Sequence, residues 1–165
     1  LHWLLAIMVI VGLVMGGFFL SEMPNSDPEK LFALRMHMSM GSIILILMIV
    51  RLIVRHRTKR PPEADIGNAT LNRLGSMMHY VLYLAVIAMA GSGIGISILS
   101  GLPDIVFFGS GAPLPENFDA FPPRAAHGII AKILGLLILG HIAAALYHQF
   151  VRKDGLFSRM WFGQR

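Results

Sequence analysis

The chain has 165 residues, 55% of them hydrophobic, a formal net charge of +5 and no cysteine. Its mean hydropathy of +0.67 is too apolar for an ordinary soluble domain. The missing cysteines exclude disulfides, thiolate-held iron–sulfur clusters and haem attached through C-x-x-C-H, so any redox group must be held by other ligands, histidine first among them.

Four apolar stretches are long enough to cross ~30 Å of hydrocarbon, which takes ~20 helical residues. They lie at about 1–20, 36–54, 77–99 and 125–151. The fold expected is an all-α membrane protein, a four-transmembrane-helix bundle forming one domain over residues 1–165. The first stretch is longer than an apolar signal-peptide core. It has no basic leader and runs into "GGFFLSEMP" with no small-residue cleavage pattern, so it reads as a span. Since the sequence starts at Leu1 rather than Met, residues before Leu1 are expected.

The second stretch carries His37 and is followed by a basic loop with Arg51, Arg55, Arg57, Lys59, Arg60 and Arg73 against Glu63 and Asp65. His56, in this loop, is expected to be solvated. The tail adds Arg152, Lys153, Arg159 and Arg165 against Asp154. The positive-inside rule puts this loop and both termini in the cytoplasm, and explains the basic run without any nucleic-acid partner. The third stretch carries His79. After it, residues 100–124 are rich in Gly and Pro, with a short interfacial piece expected around "IVFF". Segments 21–35 and 100–124 hold more acids than bases and are expected to face outward. Glycines within the spans suit close helix approach as well as room for a flat macrocycle.

The fourth stretch, "AAHGIIAKILGLLILGHIAAALYHQF", carries His127, His141 and His148 together with Lys132. Ionisable groups at membrane depth are costly and mark function. His127 and His141 are 14 residues apart, nearly four turns, so they share a face about 21 Å apart along the axis. Counting inward from the outer helix ends brings His37 to the depth of His127 and His2 to that of His141, with His79 and His148 deeper still. Two imidazoles in trans fill both axial positions of a haem iron, giving an electron-transfer haem rather than an oxygen-binding one. The pairs expected are His37–His127 and His2–His141. Near the cytoplasmic side His79, His148, Arg73 and Ser76 are candidates for hydrogen bonds to a quinone. A histidine-lined metal or proton transporter is the rival from another class. It is disfavoured because no Asp or Glu falls inside the four stretches.

"LHW", "MHMSMGSIILILMIVRLIVR", "MMHYVLYLAVIAMAGSGIG" and "AAHGIIAKILGLLILGHIAAALYHQFVRKDGLFSRM" together resemble the bacterial cytochrome b561 family, which also takes in nickel-hydrogenase-type cytochrome b subunits. The resemblance spans essentially the whole chain. It implies a four-helix bundle in the bacterial inner membrane with two b-type haems, the cytoplasmic-side one on His2 and His141 and the outer one on His37 and His127. His79 and His148 match further family positions near the cytoplasmic side. Members exchange electrons between a quinone and a second partner. A stand-alone type oxidises superoxide and reduces ubiquinone, while an anchor type takes electrons from a dehydrogenase, a hydrogenase or a cytochrome c. One feature departs from a superoxide-guiding face, which should be positive. Segments 21–35 and 100–124 carry net charges of −1 and −2, and only Arg35, Arg124 and Lys132 are placed to supply positive charge near the outer haem. Lys132 suits a haem propionate or simple snorkelling to the interface.

Overall fold

The computed structural model describes residues 1–58 and 67–155. The expected charges at Lys59, Arg60, Glu63, Asp65, Arg159 and Arg165 lie outside them. Helix α1 spans His2–Val14 and continues as a π-helical turn over Met15–Leu20, closed by a bond from the Ser21 N–H to the Gly16 carbonyl at 3.1 Å. Helix α2 spans Lys30–Arg57, α3 Ala69–Leu99, α4 Leu102–Val106 and α5 Pro122–Tyr147, the last running on through a π-helical turn over His148–Arg152. Four of these, His2–Leu20, Lys30–Arg57, Ala69–Leu99 and Pro122–Arg152, are long and apolar enough to cross a membrane.

The helices overrun the predicted stretches for local reasons. Asn68 accepts hydrogen bonds from the Thr70 and Leu71 amides at 3.0 and 3.2 Å, so α3 starts eight residues before the apolar run. α2 continues past Val54 to Arg57, which places Arg51 and Arg55 inside a helix rather than in the loop predicted for them. Long basic side chains end a span without breaking it, because their stems pack while their heads stay polar. Pro122 and Pro123 open α5, where the missing N–H groups cost nothing. The interfacial piece predicted around "IVFF" is α4, which begins earlier. Gly101 turns into it at φ 67°, Val106 is fully buried, and Phe107 and Phe108 stand outside.

α3 packs on α5, α2 on α3 and α1 on α2, whereas α5 makes no comparably close packing with α1 or α2. A seam is left there, and the predicted histidine pairs bridge it. Most large apolar side chains point outward, Leu136 at 71% exposure and Phe18 at 74%, as lipid-facing surface requires. The buried apolar centre is formed by Leu5, Ile44, Met48, Tyr83, Val86 and Leu134. α1 and α3 run one way, α2 and α5 the other. The termini thus share one end (the terminal end) with the α2–α3 connection. The far end carries residues 21–29 and 100–121. There the buried Lys30 donates from Nζ to the Leu20 and Met23 carbonyls at 2.7 and 2.6 Å, satisfying acceptors that the end of the π-turn leaves free. Asn25 Nδ2 donates to the Pro115 carbonyl at 2.8 Å, tying the two far-end loops together.

Candidate haem-binding site

The histidines gather at two levels. At the far end, the rings of His37 on α2 and His127 on α5 have centroids 6.2 Å apart, with planes at 75°. At the terminal end, His2 on α1 and His141 on α5 lie 6.4 Å apart at 79°. A metal–imidazole bond is about 2 Å and the ring centre lies about 1 Å behind its nitrogen, so two rings on one ion in trans have centres about 6 Å apart. Both pairs have that spacing. Midway between them on α5 stands Leu134, buried to 2% exposure, and midway on α2 stands Ile44, so an apolar layer separates the levels.

Three details at the far-end pair fit a group carried on imidazole. The Ser92 hydroxyl donates its single proton to the Met89 carbonyl at 2.8 Å and also lies 2.9 Å from His127 Nδ1. With the hydroxyl so turned, His127 donates from Nδ1 in the second contact, the tautomer that leaves its Nε2 lone pair bare for ligation. His37 Nδ1 is buried with no hydrogen-bond partner, a deficit that costs about 1–3 kcal/mol until something meets it. Both rings also rest on glycine. A Cβ at Gly16 would come within 3.0 Å of His37 Cε1, and one at Gly93 within 3.2 Å of His127 Cε1. Donor set, tautomer and clearance all suit a flat metallocycle standing in the seam.

The terminal-end level holds a third imidazole beside the predicted pair. The His79 ring meets that of His141, their centroids 5.6 Å apart with planes at 79°. His79 Nδ1 contacts the carbonyl of Gly75 in its own helix at 3.2 Å. Among the other quinone candidates, Ser76 and Arg73 precede His79 on α3, and Arg73 is exposed. His148 is engaged by Asp154, Nδ1 to Oδ2 at 2.5 Å, and its ring meets Tyr147 rather than the other histidines.

Around the far end, Arg35 donates from Nε and a terminal nitrogen to the Val106 carbonyl at 2.9 and 2.6 Å, so its guanidinium anchors α4. Arg124 pairs loosely with exposed Asp119 at 4.0 Å. Lys132 is exposed on the outside of α5, where snorkelling accounts for it. Sequence reading missed Ser92, Arg51, Arg55 and Tyr83. Ser92 carries no motif. Arg51 did carry a signal, standing 14 residues after His37 as His141 stands 14 after His127.

The profile of the family described as prokaryotic cytochrome b561 matches residues 1–163. The chain belongs to that family. The prokaryotic cytochromes b561 most similar to it include the probable superoxide oxidase CybB of Yersinia pestis, 31% identical and covering 97% of this chain and 90% of the relative. Cytochrome b561 homolog 1 of Escherichia coli (strain K12) is 27% identical, covering 97% and 92%. Homolog 2 of the same strain is 29% identical, covering 96% and 86%. Membership makes the chain a membrane cytochrome b with an electron-transfer role, and implies b-type haem.

Proposed function

We propose that the chain is a dihaem cytochrome of the bacterial inner membrane that moves electrons between a donor at the outer face, for which superoxide is the candidate, and a membrane quinone, acting as a superoxide:quinone oxidoreductase. The observation carrying this reading is the pair of imidazole–imidazole spacings, 6.2 and 6.4 Å, at two levels of one seam. A haem held between two such imidazoles would supply one-electron transfer and leave no open site for oxygen. The protein's own residues do the rest. His37 and His127 hold the outer group, with Ser92 fixing the His127 ring. His2 and His141 hold the cytoplasmic-side one. The apolar layer of Leu5, Ile44, Met48 and Leu134 excludes water between them. His79, with Ser76 and Arg73 on the same helix and His148 on α5, offers hydrogen bonds to a quinone carbonyl. A histidine near neutral pKa suits the accompanying proton. Arg51, Arg55, Arg57, Arg73, Arg152 and Lys153 all cluster toward the terminal end, supporting a cytoplasmic position for it. Superoxide as donor rests on the name of the Yersinia pestis relative.

The purified protein should absorb as a b-type cytochrome with two haems per chain. His127→Ala and His141→Ala should each remove one haem's signal and leave the other; loss of both or of neither contradicts the pairing. His2→Ala should likewise remove the terminal-end signal while His79→Ala keeps it. Rapid mixing with superoxide should reduce the haems quickly, and oxidised quinone should then reoxidise them. Slow reduction removes superoxide from the reading and leaves the cytochrome intact.

A further inference from the structure

At the level of His141, α2 brings two half-buried guanidinium groups toward the bundle, and among the described residues no carboxylate pairs with them. Arg51 Nε donates to the Tyr83 hydroxyl at 2.9 Å, and Tyr83 is buried at 8% exposure. That bond uses one of five N–H donors and no charge. Arg55 stacks over the rings of Tyr80 and Tyr83, 5.3 and 5.6 Å from their centres, and its Nε is buried with no hydrogen-bond partner. The ion pairs among the described residues involve Arg124 and His148 and neither of these arginines. A cation taken from water without a counter-ion is expensive, and structures pair such groups.

Register says what the missing anion accompanies. On α2, His37, Ile44 and Arg51 follow at intervals of seven, as His127, Leu134 and His141 do on α5, which runs parallel to it. α2 therefore gives the far-end level an imidazole and the terminal-end level a guanidinium. Arg51 is close enough to act electrostatically on His2, His79 and His141, and Arg55 on His79. The haem assigned to His2 and His141 brings two carboxylates on its rim, and planar guanidinium matches carboxylate geometry.

We propose that Arg51 and Arg55, held in place by Tyr83 and Tyr80, form a carboxylate clamp for the propionates of the haem at the His2–His141 level. The clamp rests on the dihaem reading above. It balances the charge of that haem and leaves the far-end haem to other groups.

The test uses the purified holoprotein in nanodiscs of zwitterionic phosphatidylcholine and, separately, of lipid with an anionic phosphate headgroup. A cation beside the propionates favours the reduced haem. Arg51→Gln should therefore lower the midpoint potential of the terminal-end haem alone, Arg51→Lys should restore most of the shift, and Arg55→Gln should give a smaller fall of the same sign. Infrared redox-difference spectra with 13C-propionate haem should show a carboxylate band that moves in Arg51→Gln. If Arg51→Gln loses that haem altogether while Arg51→Lys keeps it with a moved band, the clamp is supported equally. Unmoved potentials and bands in a normally coloured protein overturn it. So does an arginine effect seen only in anionic lipid, which would make the anion a lipid phosphate. A colourless wild-type protein would instead remove the dihaem reading itself.

Discussion

Single atoms decide the fit of the far-end pair. With the Ser92 hydroxyl turned to the Met89 carbonyl, the His127 ring is a donor at Nδ1 and free at Nε2. Removing a group that orients a ligating histidine typically costs about 10–100-fold in metal affinity. Ser92→Ala is thus expected to weaken haem retention at the far-end level by that order and to change its electron paramagnetic resonance signal, while the other haem keeps its own. The glycines give a sterically cleaner case. Gly16→Ala drives a methyl to 3.0 Å from His37 Cε1, whereas Gly17 has nothing within 4 Å of the same added atom. Overpacking of this kind costs about 1–3 kcal/mol. Gly16→Ala should lower the melting temperature and release the far-end haem first, with Gly17→Ala close to wild type. Equal behaviour of the two variants would deny that the glycine makes room for the ring.

Between elements, the far end is held by two cations bonded to backbone, Lys30 buried and Arg35 exposed. Lys30 closes the π-turn of α1 through two carbonyls, and Arg35 grips α4 through the Val106 carbonyl. Hydrogen bonds to charged groups contribute about 1.5–3 kcal/mol each, part of which is offset by burying the ammonium. Lys30→Met keeps the stem and removes the donors, so a net loss of about 2 kcal/mol is expected in denaturant unfolding. Arg35→Ala should act more locally, raising amide exchange over Leu102–Val106 without moving the histidine levels. The Arg124–Asp119 pair, 4.0 Å long with Asp119 86% exposed, should be dispensable for stability. The same local bonds revise the picture of the outer face. Arg35 keeps its charge while its donors are fixed on the Val106 carbonyl, and Lys132 is exposed on α5, as the snorkelling alternative has it.

For the molecule as a whole, two histidine levels are stacked in one seam and share one apolar layer. Leu134, at 2% exposure, packs with residues of α1, α2 and α3 between the two levels. Leu134→Ala opens a cavity there, and such changes cost about 2–5 kcal/mol. On heating, both haem signals should then be lost together at a lowered midpoint. Loss of one well before the other would show that the levels are independent units.

The four spans, the intervals that align His37 with Arg51 and His127 with His141, and the family resemblance were all legible in the chain, because hydropathy and helical period are properties of contiguous residues. Stagger between helices was not legible. It depends on caps such as Asn68 and on how side chains interlock, and it decided that the His79 ring meets that of His141. Facing was not legible either: Ser92 under His127, the paired arginines over Tyr80 and Tyr83, and Arg35 on Val106 each join residues from different helices. One helix's sequence says which side chains share its stripe. Only the packing of several says what each stripe meets.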